Sequence, residues 1–214
     1  GGGGSVAPPK TIKVGPAPTA PKAELSLTAK DVMNDVKPVL LAVKELRGLL
    51  EQKASPDVVT ARCRDIVASV KVLDKKIEGA TGSSAQRKKE LAAAFQTFRG
   101  NVVSMMTGVR DAAKNDYKDK AGIDSTLEAC NSVASTARGM LGVVQKADKA
   151  HADAMATYDK ALAKHKQAAA DAERKNKAAL EAHKKAQAAA AATAKPAGGA
   201  AGGGPPPAAA SASS

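Results

Sequence analysis

Four runs of apolar residues, spaced alternately by four and three, constrain this chain more than any other feature. The first is Val32, Val36, Val39, Val43, Leu46 and Leu50, and the second is Val59, Cys63, Ile66, Val70, Leu73 and Ile77. The third is Leu91, Phe95, Phe98, Val102, Met105 and Val109, continuing to Ala112. The fourth is Ile123, Leu127, Cys130, Ala134, Ala137, Leu141 and Val144. This spacing puts each run on one face of a helix. Four such faces in one short chain can leave water only by facing one another, and short connections favour neighbours of opposite direction. The expected fold is all-α, an antiparallel four-helix bundle over residues 28–146.

The breaks between stripes agree with that reading. "ASPD" offers Ser55 as a cap and Pro56 as a first-turn proline, and "EGATGSS" offers Gly79 and Gly82 as a stop with Ser83 or Ser84 as the next cap. Pro38 lies inside the first stripe without shifting its phase, which allows either a kink there or a helix that begins there. Hydrophobic residues make up 43% of the chain but aromatics only 2%, so the core must be built from Ala, Val and Leu, as in helical bundles. Cys63 and Cys130 both fall on apolar stripes, which predicts buried free thiols and a reducing, cytoplasmic compartment. No apolar run is as long as a membrane span, and the N-terminus lacks a signal-peptide pattern.

Both ends are rich in Gly, Pro, Ala and Ser, so residues 1–27 and 196–214 are expected to be disordered linkers. The start at Gly1 without Met suggests a piece of a longer protein. Between Val144 and Pro196 no Gly or Pro stops the fourth helix, while its stripe thins to His151, Met155, Tyr158, Leu162 and His165 and then fades. Asp171 with Lys175, Glu173 with Lys177 and Glu181 with Lys185 each place an acid four residues ahead of a base, which suits a solvated helix. Residues 147–195 therefore read as an extended, charged, Ala-rich helix protruding from the bundle. Its seam at Met155, Tyr158 and Leu162 could pair with a partner, including a second copy in a weak homodimer.

Several motifs invite chemistry and lack what it needs. "GATGSSAQRKK" has no Gly-Lys-Ser/Thr ending and no preceding strand, so a turn outranks a phosphate loop. Asp116, Asp119 and Asp124 surround Gly122 without the alternating spacing of a calcium loop. His151 and His165 are two heptads apart and His183 is off that register, so no metal site is expected. No nucleophile, base and orienter stand together, and the chain is expected to be a non-enzyme without cofactors. The net charge of +12 is spread as +2 over residues 1–27, +5 over 28–145 and +5 over 146–214. That attracts acidic polymers or anionic surfaces without choosing among them.

The stretches "NDYKDKAGIDSTLEACNSVASTARGMLGVV" and "SPDVVTARCRDIVASVKVL" resemble talin rod helices, in which Ala, Ser and Thr alternate with aliphatic residues. The order of four helices, with "QRKKEL" opening the third and a tyrosine before the fourth, is similar to the focal-adhesion-targeting bundle. The resemblance covers residues 28–146 and carries over no binding residue. It implies a cytoskeleton-associated adaptor or scaffold that binds actin or an amphipathic partner helix. The candidate partner-binding residues are Phe95 and Phe98, uncovered if the weak fourth helix peels away, and Met155, Tyr158 and Leu162. The alternative is a basic module that binds nucleic acid, microtubules or anionic membrane through the C-terminal helix.

Overall fold

The computed structural model describes residues 6–193. The 196–214 linker and the first five residues of the 1–27 linker lie outside that range. The chain divides into two units, Pro18–Leu162 and a second that combines Gly1–Ala17 with Ala163–Ser214. Four helices and no strand occur among the described residues: α1 (Ala29–Glu51), α2 (Pro56–Glu78), α3 (Ala85–Lys114) and α4 (Lys120–Thr193).

Side-chain caps open α1, α3 and α4, whereas Ser55, the expected cap of α2, makes no side-chain capping bond. Thr28 accepts a hydrogen bond from the Asp31 amide while the Asp31 carboxylate accepts from the Thr28 amide, a reciprocal capping box at the head of α1. The bond from the Thr28 amide is the main reason the Asp31 carboxyl titrates below its usual range. α1 therefore does not begin at Pro38, the alternative that the sequence allowed: Pro38 lies inside the helix, nine residues past Ala29, on an exposed side. Pro56 opens α2, and Ser84 accepts from the Arg87 amide to open α3. Asp119, which had invited a calcium reading, accepts from the Gly122 amide at 3.1 Å and opens α4.

Every stripe residue assigned to α1, α2 and α3 is buried. The fourth stripe is rotated slightly from expectation. Its buried positions include Thr126, Cys130, Val133, Ala137, Met140, Leu141, Val144 and Ala147, whereas Ile123, Leu127 and Ala134 are only half-covered. Cys130, Ala137, Leu141 and Val144 satisfy either register, so spacing alone could not choose between them. Because Val133 and Met140 are fully enclosed, α4 buries more apolar area than a stripe with Ala134 at its centre would. Residues from all four helices, together with Leu25, form one hydrophobic cluster in the Pro18–Leu162 unit.

Neighbouring helices are tied at specific points. Lys76 meets Asp35 at 2.6 Å and Arg62 meets Glu45, joining α2 to α1; Arg99 meets Asp74 at 3.5 Å, joining α3 to α2. Asn101 reaches Thr136 at 3.4 Å, and the Ala29 amide donates to Asp148 at 2.8 Å. Ion pairs at the surface contribute on the order of 0–1 kcal/mol each, so those here fix register more than they supply stability. At Gly108 an added Cβ would come within 3.1 Å of the Thr126 side chain, so the missing side chain is what lets α3 and α4 approach there. The Tyr117 hydroxyl donates to the Ala54 carbonyl at 2.6 Å, pinning the α3–α4 turn to the α1–α2 turn.

Both cysteines are free and buried, and burial raises both thiol pKa values. Low thiolate content and poor access act in the same direction. Neither thiol should be alkylated by a maleimide in the native protein within the time that labels the unfolded chain completely. Labelling of Cys63 or Cys130 at the unfolded rate without denaturant would show that the core opens.

Candidate functional site

Residues 6–27, expected to be a free linker, contain no helix or strand and are held by named bonds in each unit. In the Pro18–Leu162 unit the α2–α3 turn grips residues 22–26. The Ser26 amide donates to the Thr81 carbonyl at 2.7 Å, the Ser83 amide to Ala23 at 2.9 Å and the Ser84 amide to Glu24 at 3.2 Å. The Ser83 hydroxyl also donates to Ala23, and Arg87 closes on Glu24 at 2.9 Å, a hydrogen bond that raises the arginine pKa. Gly82 sits at φ +152, and a Cβ there would meet the Glu24 and Leu25 backbone at 2.7 and 2.8 Å. In "GATGSS" the Ser83 and Ser84 amides are thus occupied by the chain's own carbonyls and the Thr81 amide by the Ser26 hydroxyl. Leu25 is carried into the core by this grip.

In the second unit the Asn176 side chain brackets one peptide residue. The Ile12 amide donates to Asn176 Oδ1 at 2.8 Å, and Asn176 Nδ2 donates back to the Ile12 carbonyl at 2.9 Å. His165 Nε2 donates to the Gly15 carbonyl at 2.8 Å. Pro9, Lys10 and Thr11 line a recess of about 410 Å³ with Glu173, Lys177, Ala179 and Leu180. Ala172 is only 7% exposed in an otherwise largely exposed stretch of α4. Around Ala172 the half-covered positions are His165, Ala169, Asp171, Asn176, Ala179 and His183. The fourth stripe therefore does not fade after His165 but continues in small residues. His183 belongs to it, because the 18 residues from His165 make about five full turns at 3.6 residues each. Of the expected i,i+4 ion pairs, Asp171 instead meets Arg174 at 3.4 Å, three residues away.

The residues singled out from sequence are distributed unevenly. Phe95 and Phe98 are 1% and 0% exposed and pack against each other with ring centroids 6.4 Å apart, so with α4 in place they are core. Met155, Tyr158 and Leu162 are half-buried. A surface that the stripes did not indicate lies between α2 and α3, where Val67, Val70, Val102, Val103 and Met106 line a shallow apolar recess of about 120 Å³. Lys71, Asp74 and Arg99 stand at its edge. Val67 and Val103 are 37% and 50% exposed, unlike their stripe neighbours Val70 and Val102. The signal in the sequence was a valine placed directly beside a core position on each helix. Among the described residues no group of three or more His, Cys, Asp or Glu is placed to hold a metal, and no helix is long and apolar enough to cross a membrane. No family model, curated protein or solved structure matches the chain.

Proposed function

We propose that this chain is a non-enzymatic adaptor or scaffold module, an antiparallel four-helix bundle that receives an amphipathic helix in its α2–α3 groove. The pairings Asp35 with Lys76 and Glu45 with Arg62 run in opposite senses along α1 and α2, which supports the antiparallel order. Asn101 with Thr136 and Gly108 with Thr126 do the same for α3 and α4. The observation that carries the functional reading is the pair of exposed valines, Val67 and Val103, flanking an apolar seam with charged edges. Aliphatic anchors of a partner helix at i, i+3/i+4 and i+7 suit such a seam, and an acidic residue on its rim would face Lys71.

A cytoskeletal setting, with an actin filament as the surface presenting the helix, is the form of this proposal that the talin-like pattern favours. The competing reading is charge-driven binding through the helix from Ala163, which carries seven basic and three acidic residues up to Thr193, most of them exposed. Co-sedimentation with actin filaments separates the two. The parent should pellet, Val103→Glu should pellet at least tenfold less, and raising salt from roughly 0.05 to 0.2 M should matter little. Pelleting that ignores Val103→Glu and falls steeply with salt would transfer the binding to the lysines. No pelleting at any salt would remove actin as the partner.

A further inference from the structure

We infer that the stripe from His165 to Leu180 is a binding site for an extended, proline-bearing peptide, and that residues 9–15 hold it closed as an intramolecular ligand. This inference is independent of the α2–α3 groove. Three observations carry it. Asn176 presents one acceptor and one donor to the two backbone groups of a single residue, which reads an extended backbone and not a side chain. His165 takes a second carbonyl three residues further along, so the two contacts together fix the direction of the bound segment. Ala169, Ala172 and Ala179 keep the stripe shallow, which allows a backbone to lie directly on the helix.

The ligand chemistry follows from these contacts. The bracketed residue must keep its N–H, so it cannot be proline, while its neighbours gain from proline because a pre-extended segment loses less conformational entropy on docking. "VAPPKTIKVGPA" has this form, with Pro8 and Pro9 before Ile12 and Pro16 after it. Asn176 is also an outlier in its own helix, since asparagine is a poorer helix former than the Ala, Glu and Lys around it. The bracket explains its presence. A tethered segment competes at an effective concentration in the millimolar range, so an external peptide meets a site that is open only part of the time.

The test uses the full chain and a fluorescent peptide of residues 6–17. Ile12→Pro in the full chain removes the N–H that Asn176 accepts and should release the internal segment without touching the helix. That variant should bind the peptide at least tenfold more tightly than the parent does. Adding Asn176→Ala to it should abolish binding while leaving helix content unchanged, because alanine favours the helix more than asparagine does. A peptide that itself carries Ile12→Pro should not bind. The inference is overturned if the Ile12→Pro chain fails to bind, if it binds no better than the parent, or if Asn176→Ala leaves binding intact.

Discussion

Phe98→Ala is expected to bring the Pro18–Leu162 unit close to unfolding. The side chain is fully enclosed and packs beside Phe95 on α3, and these two are the only phenylalanines in the chain. Truncating a buried phenylalanine costs about 3–5 kcal/mol, through lost burial and the cavity left behind. A single domain holds only about 5–15 kcal/mol in total. A core built from valine, alanine and leucine has few large side chains with which to refill the space. Thermal melting should shift down by roughly 6–20 °C for a unit of this size. Val103→Ala, which shortens an exposed side chain on the same helix, should leave the melt nearly unchanged and serves as the control. A Phe98→Ala melt equal to the parent would mean that the third stripe is not the core face.

Gly82→Ala should have the next largest effect, and it acts through the N-terminal segment. The φ of +152 is one that residues with a Cβ seldom adopt, at a cost of about 1–3 kcal/mol. The added carbon would also press on the Glu24 and Leu25 backbone, which is held in place by three hydrogen bonds and cannot yield as a flexible side chain would. The strain and the clash should together expel residues 22–26 and pull Leu25 from the core. Limited trypsin digestion reads this directly, since Lys22 borders the gripped stretch. Cleavage after Lys22 should be slow in the parent and at least tenfold faster in Gly82→Ala. Equal rates would show that the turn does not hold the segment.

These two substitutions mark where the sequence was legible. The α1, α2 and α3 stripes could be read in full because burial repeats every three or four residues and leaves a periodic trace. In α4 the trace was ambiguous, since Ala134 and Val133 adjoin and both fit an apolar face; only packing against α3 at Gly108 and Asn101 selects the register. The place of residues 6–27 left no periodic trace. It depends on backbone amides and carbonyls that every residue carries, on the missing side chain of Gly82, and on side chains far away in sequence: Ser83, Arg87, His165 and Asn176. Of these, Asn176 was the readable sign, a residue with no use for its amide on a solvated helix. The same reasoning accounts for the α2–α3 groove, because Val67 and Val103 stand one position off their stripes and contribute nothing to the pattern that defines the helices.

Residue-by-residue amide hydrogen exchange measures most directly whether residues 9–26 are held by the hydrogen bonds described above. The amides of Ser26, Ser83 and Ser84 each donate to a backbone carbonyl, and the Ile12 amide donates to Asn176. All four should exchange well below the free-peptide rate, with Ser26, Ser83 and Ser84 slowest because Leu25 anchors that stretch in the core. Exchange at free-peptide rates at all four would contradict the account and return the segment to a linker.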